Sequence, residues 1–442
     1  MNRRLLFVSP HFPPDTTAGT HRARLLVPHL PAHGWDVTLL TVDPSGYEGR
    51  LDPDLATLNP SAPRTVRVQP LPVRWTRPLG LGDLGLRALP SLARTGARLL
   101  EHEPHDAVLI TIYPTYPAIL GPRWRRRFGV PFVLDYQDPW VGAWGSTTGP
   151  AGHVDWKSRA TRRVAEWLEP RVLRSADGLT AVSAATLDEA LARSPGLLRP
   201  PTLELPIGGE SADFAVLAER PRPNPWFDPN DGCLHLVYAG TLLPLGFETL
   251  RALLRAVAEL RDRDPELAAR LRLHFFGTSN QTTTNAAPRV LPLATELGVV
   301  DWVTEHPPRL DYLDALTVQT QATALLLLGS SERHYTASKL YPALLARRPV
   351  LALYHEASTV VATLRRAARP PSVRLVTYDD ETRAGDRVAA ITAELAALAA
   401  APRYDPATVD LSVLEEFSAL RLAGRLGAFL DEIVRRGLSR RT

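Results

Sequence analysis

Cysteine is nearly absent: the 442 residues contain one, Cys233. A single thiol excludes an internal disulfide framework and a cysteine zinc cluster. Lysine is almost as scarce. Only Lys157 and Lys339 interrupt a basic complement that is otherwise all arginine, a skew that fits a GC-rich coding bias and says nothing of function. Long apolar runs are missing too. The stretch ATALLLLG at 322–329 falls far below the ~20 residues a membrane span requires. The opening MNRRLLFVSPHFPP is broken by His11 and three prolines within about eight residues, short of a signal-peptide core, so a cytoplasmic protein is expected. No block of like charge marks a disordered tail. A formal net charge of +4 permits an anionic ligand, but no dense basic face with interleaved aromatics is present, and nucleic acid is not an expected partner.

What is present is a globular composition, 45% hydrophobic and 22% charged, in a chain too long for one ordinary core. Two domains of roughly 200 residues each follow. In the N-terminal half, β-rich runs at 5–9, 37–42, 107–112, 131–135 and 179–183 are separated by amphipathic stretches at 21–33, 86–101, 156–174 and 184–193. The runs are apolar without alternation, which predicts parallel strands covered on both faces. Proline, asparagine and glycine then gather at 221–232, where no core element could continue.

The pattern restarts with strands expected at 234–239, 271–276, 324–328, 349–354 and 373–377 and helices at 247–261, 290–297, 310–320, 338–347 and 383–398. A last helix is expected at 413–435. The predicted fold is α/β, two doubly wound Rossmann-like domains facing across a cleft. Residues 1–206 form the first, 207–232 a linker, 233–412 the second, and 413–442 return toward the first. In such sheets ligands bind beyond the carboxyl ends of the strands.

Three stretches could carry chemistry there. In TASKLYPALLARRPVLAL, residues 336–353, Ser338 suits an N-cap and Lys339 the first helical position. Pro342 is tolerated only in a first turn, which pins the helix start. Free amides, the helix dipole and an ammonium would converge on a phosphate; a solvated surface lysine fits the same residues. In SPHFPPDTTAGTHR, residues 9–22, Ala18 and Gly19 allow close approach of a ligand and Arg22 offers a fork for phosphate or carboxylate. An ordinary strand-to-helix loop reads the same way. In PFVLDYQDPW, residues 131–140, Asp135 and Asp138 sit at a strand's carboxyl end and Trp140 offers a flat wall, or else a cap and a core side chain.

Other signals fail. His11, His21, His29 and His33 show no metal-ligand spacing, GxGxxG is missing, and no serine has the GxSxG elbow. RWRRR at 123–127 could touch anionic lipid or be a solvated helix face, so weak peripheral membrane contact is admitted.

In order and spacing these pieces resemble the family 4 glycosyltransferases of the two-Rossmann-domain B type. FPPDTTAGTHR is similar to an FPPDxxAGxxR opening, VPFVLDYQDPW to PxVLDxRDPW, VLRSADGLTAVS to an ADxxxxVS strand, and SKLYPALLARRPVLAL to xKLFEYLAAGRPVLAL. LPIGGESADF stands where the family reads IPNGxDxxxF, and LVYAGTL matches the first strand of the second domain. The resemblance implies sugar transfer from a nucleoside-diphosphate sugar to an unidentified acceptor with retention of configuration and no metal or other cofactor. It implies donor contacts at Gly19, Arg22, Gly240, Thr241, His334, Ser338, Lys339 and Glu356. Lys339 would stabilise the departing diphosphate, and Asp138 would orient or deprotonate the acceptor. Asp15, Tyr113, Tyr116, Trp140 and Trp144 would line the acceptor side.

Departures from the family are specific. The arginine and lysine that follow the YAG glycine are replaced by Thr241 and Leu245, and the paired glutamates by His334 and Pro342. A proline cannot hold ribose hydroxyls, which leaves that role to another residue such as Glu356. Two alternatives therefore stand beside the transferase: a catalytically idle partner or scaffold protein, and a nucleotide-sugar epimerase on the same fold.

Overall fold

In a computed structural model, residues 2–58, 63–141, 156–242, 244–279, 286–330 and 339–439 are described. The chain divides into two compact units, Met1–Ile207 with Ala419–Thr442, and Gly208–Ser418.

The first unit is built on seven parallel strands: β1 Arg3–Val8, β2 Trp35–Val42, β3 Arg64–Val68, β4 Ala107–Ile112, β5 Phe132–Tyr136, β6 Gly178–Ala181 and β7 Thr202–Glu204. Their order is β3-β2-β1-β4-β5-β6-β7. The second unit carries β8 Leu234–Ala239, β9 Leu271–Phe276, β10 Val303–His306, β11 Ala324–Leu328, β12 Val350–His355 and β13 Val373–Tyr378, ordered β10-β9-β8-β11-β12-β13 and likewise parallel. Each is the doubly wound order, with a switch point between its first strand and its fourth, β1/β4 and β8/β11.

Continuous apolar strands follow from burial on both faces. On β1, Leu6 and Val8 join a core with Leu92 and Trp124, whereas Leu5 and Phe7 face the other side, against Leu422 and Leu426. The latter belong to the helix Ala419–Ser439, which packs within the first unit: Trp35 Nε1 donates to the Gly427 carbonyl at 3.2 Å. The expected 413–435 helix is thus two pieces, Leu411–Glu415 and Ala419–Ser439.

Several expected elements are displaced. The 21–33 stretch gives a helix Thr20–Leu26 and a short 3-10 turn Leu30–His33, because Pro28 and Pro31 interrupt the amide ladder. Residues 207–232 were expected as linker, but 211–219 form a helix of the second unit, where Tyr312 donates to Asp213 at 2.7 Å.

Candidate active site

At the first switch point, the chain leaves β1 into the loop 9–19 and leaves β4 at Tyr113. The Asp15 carboxylate is buried and accepts from His11 Nδ1 at 2.6 Å, Thr17 Oγ1 at 2.5 Å and Thr20 Oγ1 at 3.0 Å. Burial alone would raise its pKa, but the hydrogen bonds from His11, Thr17 and Thr20 hold it below the usual carboxylate range. The bond to Asp15 engages Nδ1 of the His11 imidazole, whose ring stacks on Tyr47 and Tyr113. Nε2 remains for a further partner, the geometry of a histidine oriented by a carboxylate. Asp83 carries a carboxyl pushed up by burial and N-caps the helix Leu84–His102. Tyr116, half-buried, is raised by burial and by Asp83. Asp138 is exposed just beyond β5, and the surrounding protein raises its carboxyl.

This arrangement corrects parts of the expected set. Arg22 is buried and forms an ion pair with Asp135, Nε to Oδ2 at 2.9 Å, while its other nitrogens donate to the Leu205 and Pro206 carbonyls. Its charge is spent inside the unit and is not offered to a donor. Trp140 is 1% exposed in the apolar core, so it is no acceptor wall. Asp15 is engaged by His11 and two threonines rather than open to an acceptor. Beside Gly19, a Cβ would lie 2.6 Å from Tyr113 Cδ1, so the missing side chain makes room for that ring. Residue Trp144 lies outside the described residues, as do His334 and Ser338.

At the second switch point, β8 leads into Gly240 and Thr241, and the described chain after β11 resumes at Lys339. The Lys339 ammonium donates to Tyr238 Oη at 2.6 Å and to the Thr241 carbonyl at 2.9 Å, and it sits 4.4 Å from the Tyr238 ring centroid. No carboxylate pairs with it among the described residues. Burial, with Arg309 adding repulsion, lowers its pKa to about 7. Gly240 is required here: its φ is +137° and a Cβ would lie 2.2 Å from Lys339 Cε. The helix begins at Leu340, with Lys339 as N-cap in place of Ser338, and ends at Leu345; Pro342 sits in its first turn, as the backbone allows. Glu356, just past β12, is exposed and ion-paired with Arg365, Oε2 accepting at 2.9 Å. That pairing removes it as a ready ribose clamp.

Sequence reasoning had set His11 aside because no metal spacing was found. Its partner lies four residues on in a loop, where i,i+4 has no fixed meaning, and only the fold makes the pair visible. Among the described residues no three His, Cys, Asp or Glu side chains gather as a metal site.

Residues 17–201 match a glycosyl transferase 4-like domain. No curated protein matches the sequence. Among solved structures, HepE of Anabaena in complex with UDP and glucose is similar at 13% identity over 98% of this chain and 100% of that one, with a TM-score of 0.58. A UDP-forming trehalose-phosphate synthase of Burkholderia vietnamiensis shares 11% identity over 99% and 100%, TM-score 0.55. The lipopolysaccharide outer core galactosyltransferase WaaB shares 13% over 97% and 99%, TM-score 0.53. Residues 17–201 thus carry a glycosyl transferase 4-like domain, and the solved structures share with the whole chain the fold of two Rossmann-like parallel sheets.

Proposed function

We propose that the protein transfers a sugar from a nucleoside-diphosphate donor to an acceptor hydroxyl, with retention of configuration and without a metal. What carries the reading is Lys339, a half-buried cation at the strand ends of the second unit to which no carboxylate is paired among the described residues. A charge partly withdrawn from water without a counter-ion is costly, and a diphosphate supplies one. In the reaction the bond from the sugar's anomeric carbon to the diphosphate oxygen breaks, and its electron pair stays on the diphosphate. The acceptor oxygen bonds to the same face of that carbon, and its proton passes to the departing phosphate. Lys339 stabilises the charge that builds there, the resource on which such sites chiefly draw. In the first unit, Asp138 orients the acceptor and His11, held by Asp15, presents Nε2 to a hydroxyl. The ligands of HepE, UDP and glucose, suggest the donor class.

Thermal unfolding against a panel of nucleoside diphosphates and their sugars tests this. A ligand at ~100 times its dissociation constant adds roughly 2.7 kcal/mol. Stabilisation by the panel in the native protein, lost in Lys339→Ala, is expected; no shift with any member would remove the donor site. Conversion of a donor sugar with no acceptor present would favour the epimerase instead.

A further inference from the structure

At the opposite edge of the first sheet, before β6 and β7, lies a cavity of ≈600 Å³ lined by Arg171, Arg174, Arg193, Ser194, Leu198 and Arg199 among others. Its two acidic neighbours are already neutralised: Asp177 binds Arg125 at 2.7 Å and Glu169 binds Arg193 at 2.7 Å. Arg174 and Arg199 are exposed and make no ion pair among the described residues. Ser194 is 6% exposed, yet its buried Oγ has no hydrogen-bond partner. An unmet buried hydroxyl beside unpaired guanidiniums is a recess for an anionic oxygen.

This recess continues onto the helix Trp156–Leu173. At 100° per residue, Trp156, Ala160, Arg163, Val164, Trp167 and Arg171 fall on one face. That face is exposed: Trp156 by 72%, Trp167 by 56% and Val164 by 43%, and Leu198 at the recess by 82%. The Arg171 guanidinium stacks 4.0 Å above Trp167 and also lines the recess, so stripe and cavity are contiguous. The helix carries five basic residues against two glutamates, and these are taken up by Arg162 and Arg193. By contrast, the expected RWRRR segment offers no exposed aromatic: Trp124 is 2% exposed and Arg125 is paired with Asp177, while Arg123, Arg126 and Arg127 are exposed.

We infer that this face of the first unit docks on an anionic membrane. Trp156, Trp167 and Leu198 enter the interface while Arg171, Arg174 and Arg199 hold a lipid phosphate over Ser194. Exposed tryptophans flanked by arginine are what an interfacial helix presents, and each basic residue near an anionic surface adds about five-fold to partition. Cations are ordinary at helix C-termini, and both helices ending here would draw some. They do not account for two exposed tryptophans on the same face. The inference is independent of the sugar chemistry.

Cosedimentation of the full chain with phosphatidylcholine vesicles, with and without phosphatidylglycerol, tests it. Binding is expected only to the anionic vesicles, weakening with salt, with a blue shift of tryptophan fluorescence that Trp167→Ala diminishes. Arg174→Ala with Arg199→Ala should lower partition about 30-fold, with an unchanged melting temperature showing that the variant folds. Equal binding to neutral vesicles, no binding, or binding indifferent to the double variant would each overturn it. So would stabilisation by inorganic phosphate or a shift with RNA in the absence of vesicle binding.

Discussion

In the first unit, the buried carboxylates of Asp15 and Asp135 face His11 and Arg22, whereas in the second unit the half-buried ammonium of Lys339 faces a phenol and a carbonyl. The same topology thus places a neutralised network at one switch point and an unbalanced cation at the other. Neutralised pairs hold a loop in shape; an unbalanced cation stores demand for a ligand. The difference assigns shape to the first site and charge to the second.

The largest effect should come from breaking the neutral side. Arg22→Met leaves Asp135 buried without its cation and should lower stability by about 3–5 kcal/mol, read from urea unfolding; adding Asp135→Asn should recover part of it. Second is Lys339→Ala. Turnover should fall by about 10²–10³, while the fold is retained or firmer, because the lysine gains no ion pair in the empty protein. A stability loss like that of Arg22→Met would erase the contrast.

Third, the second unit holds a pair of buried imidazoles with no role at its switch point. His235 Nδ1 and His274 Nε2 are 2.9 Å apart, His235 Nε2 meets Asp231 and His274 Nδ1 meets Thr304 Oγ1, with Phe227 stacked on both rings. Burial, with His235 adding repulsion, lowers His274 to about 4 from 6.5. Below 6.5 the unfolded chain takes up a proton that the folded one refuses. Stability should therefore be whole above pH 6.5 and fall by on the order of 2–3 kcal/mol toward pH 4. His274→Gln should flatten that slope.

The smallest signal is protonic. With Lys339 near 7, a diphosphate should draw a proton onto it, so calorimetry at pH 8 in buffers of different ionisation enthalpy should show uptake, and affinity should rise as pH falls toward 7 and level off below it. In the empty protein the unfolded chain holds that proton between about 7 and 10.5, so stability should rise with pH across that window. No uptake would mean the diphosphate does not meet this amine.

Much of the fold is legible from residues, because buried parallel strands must be apolar throughout. The expected runs coincide with β2, β4, β8, β9 and β11 almost to the residue. The missed strands, β3, β7 and β10, all lie at sheet edges, where exposure relaxes the apolar demand: Thr202, Arg64 and Thr304 are exposed. Lys339, Gly240 and Thr241 were legible and do converge. Arg22 and Trp140 were misread because polarity and aromaticity at a strand end look alike whether they face a ligand or the core.

By itself the sequence determined two Rossmann-like units, the apolar central strands of each and one of the chain's two lysines poised near a helix start, since hydrophobic period and proline placement are local constraints. Only the tertiary structure decided which charges are spent. Whether Arg22 meets Asp135, Asp15 meets His11 or Lys339 meets no acid depends on residues up to about a hundred positions apart in the chain, and neutralisation is a property of distance in space.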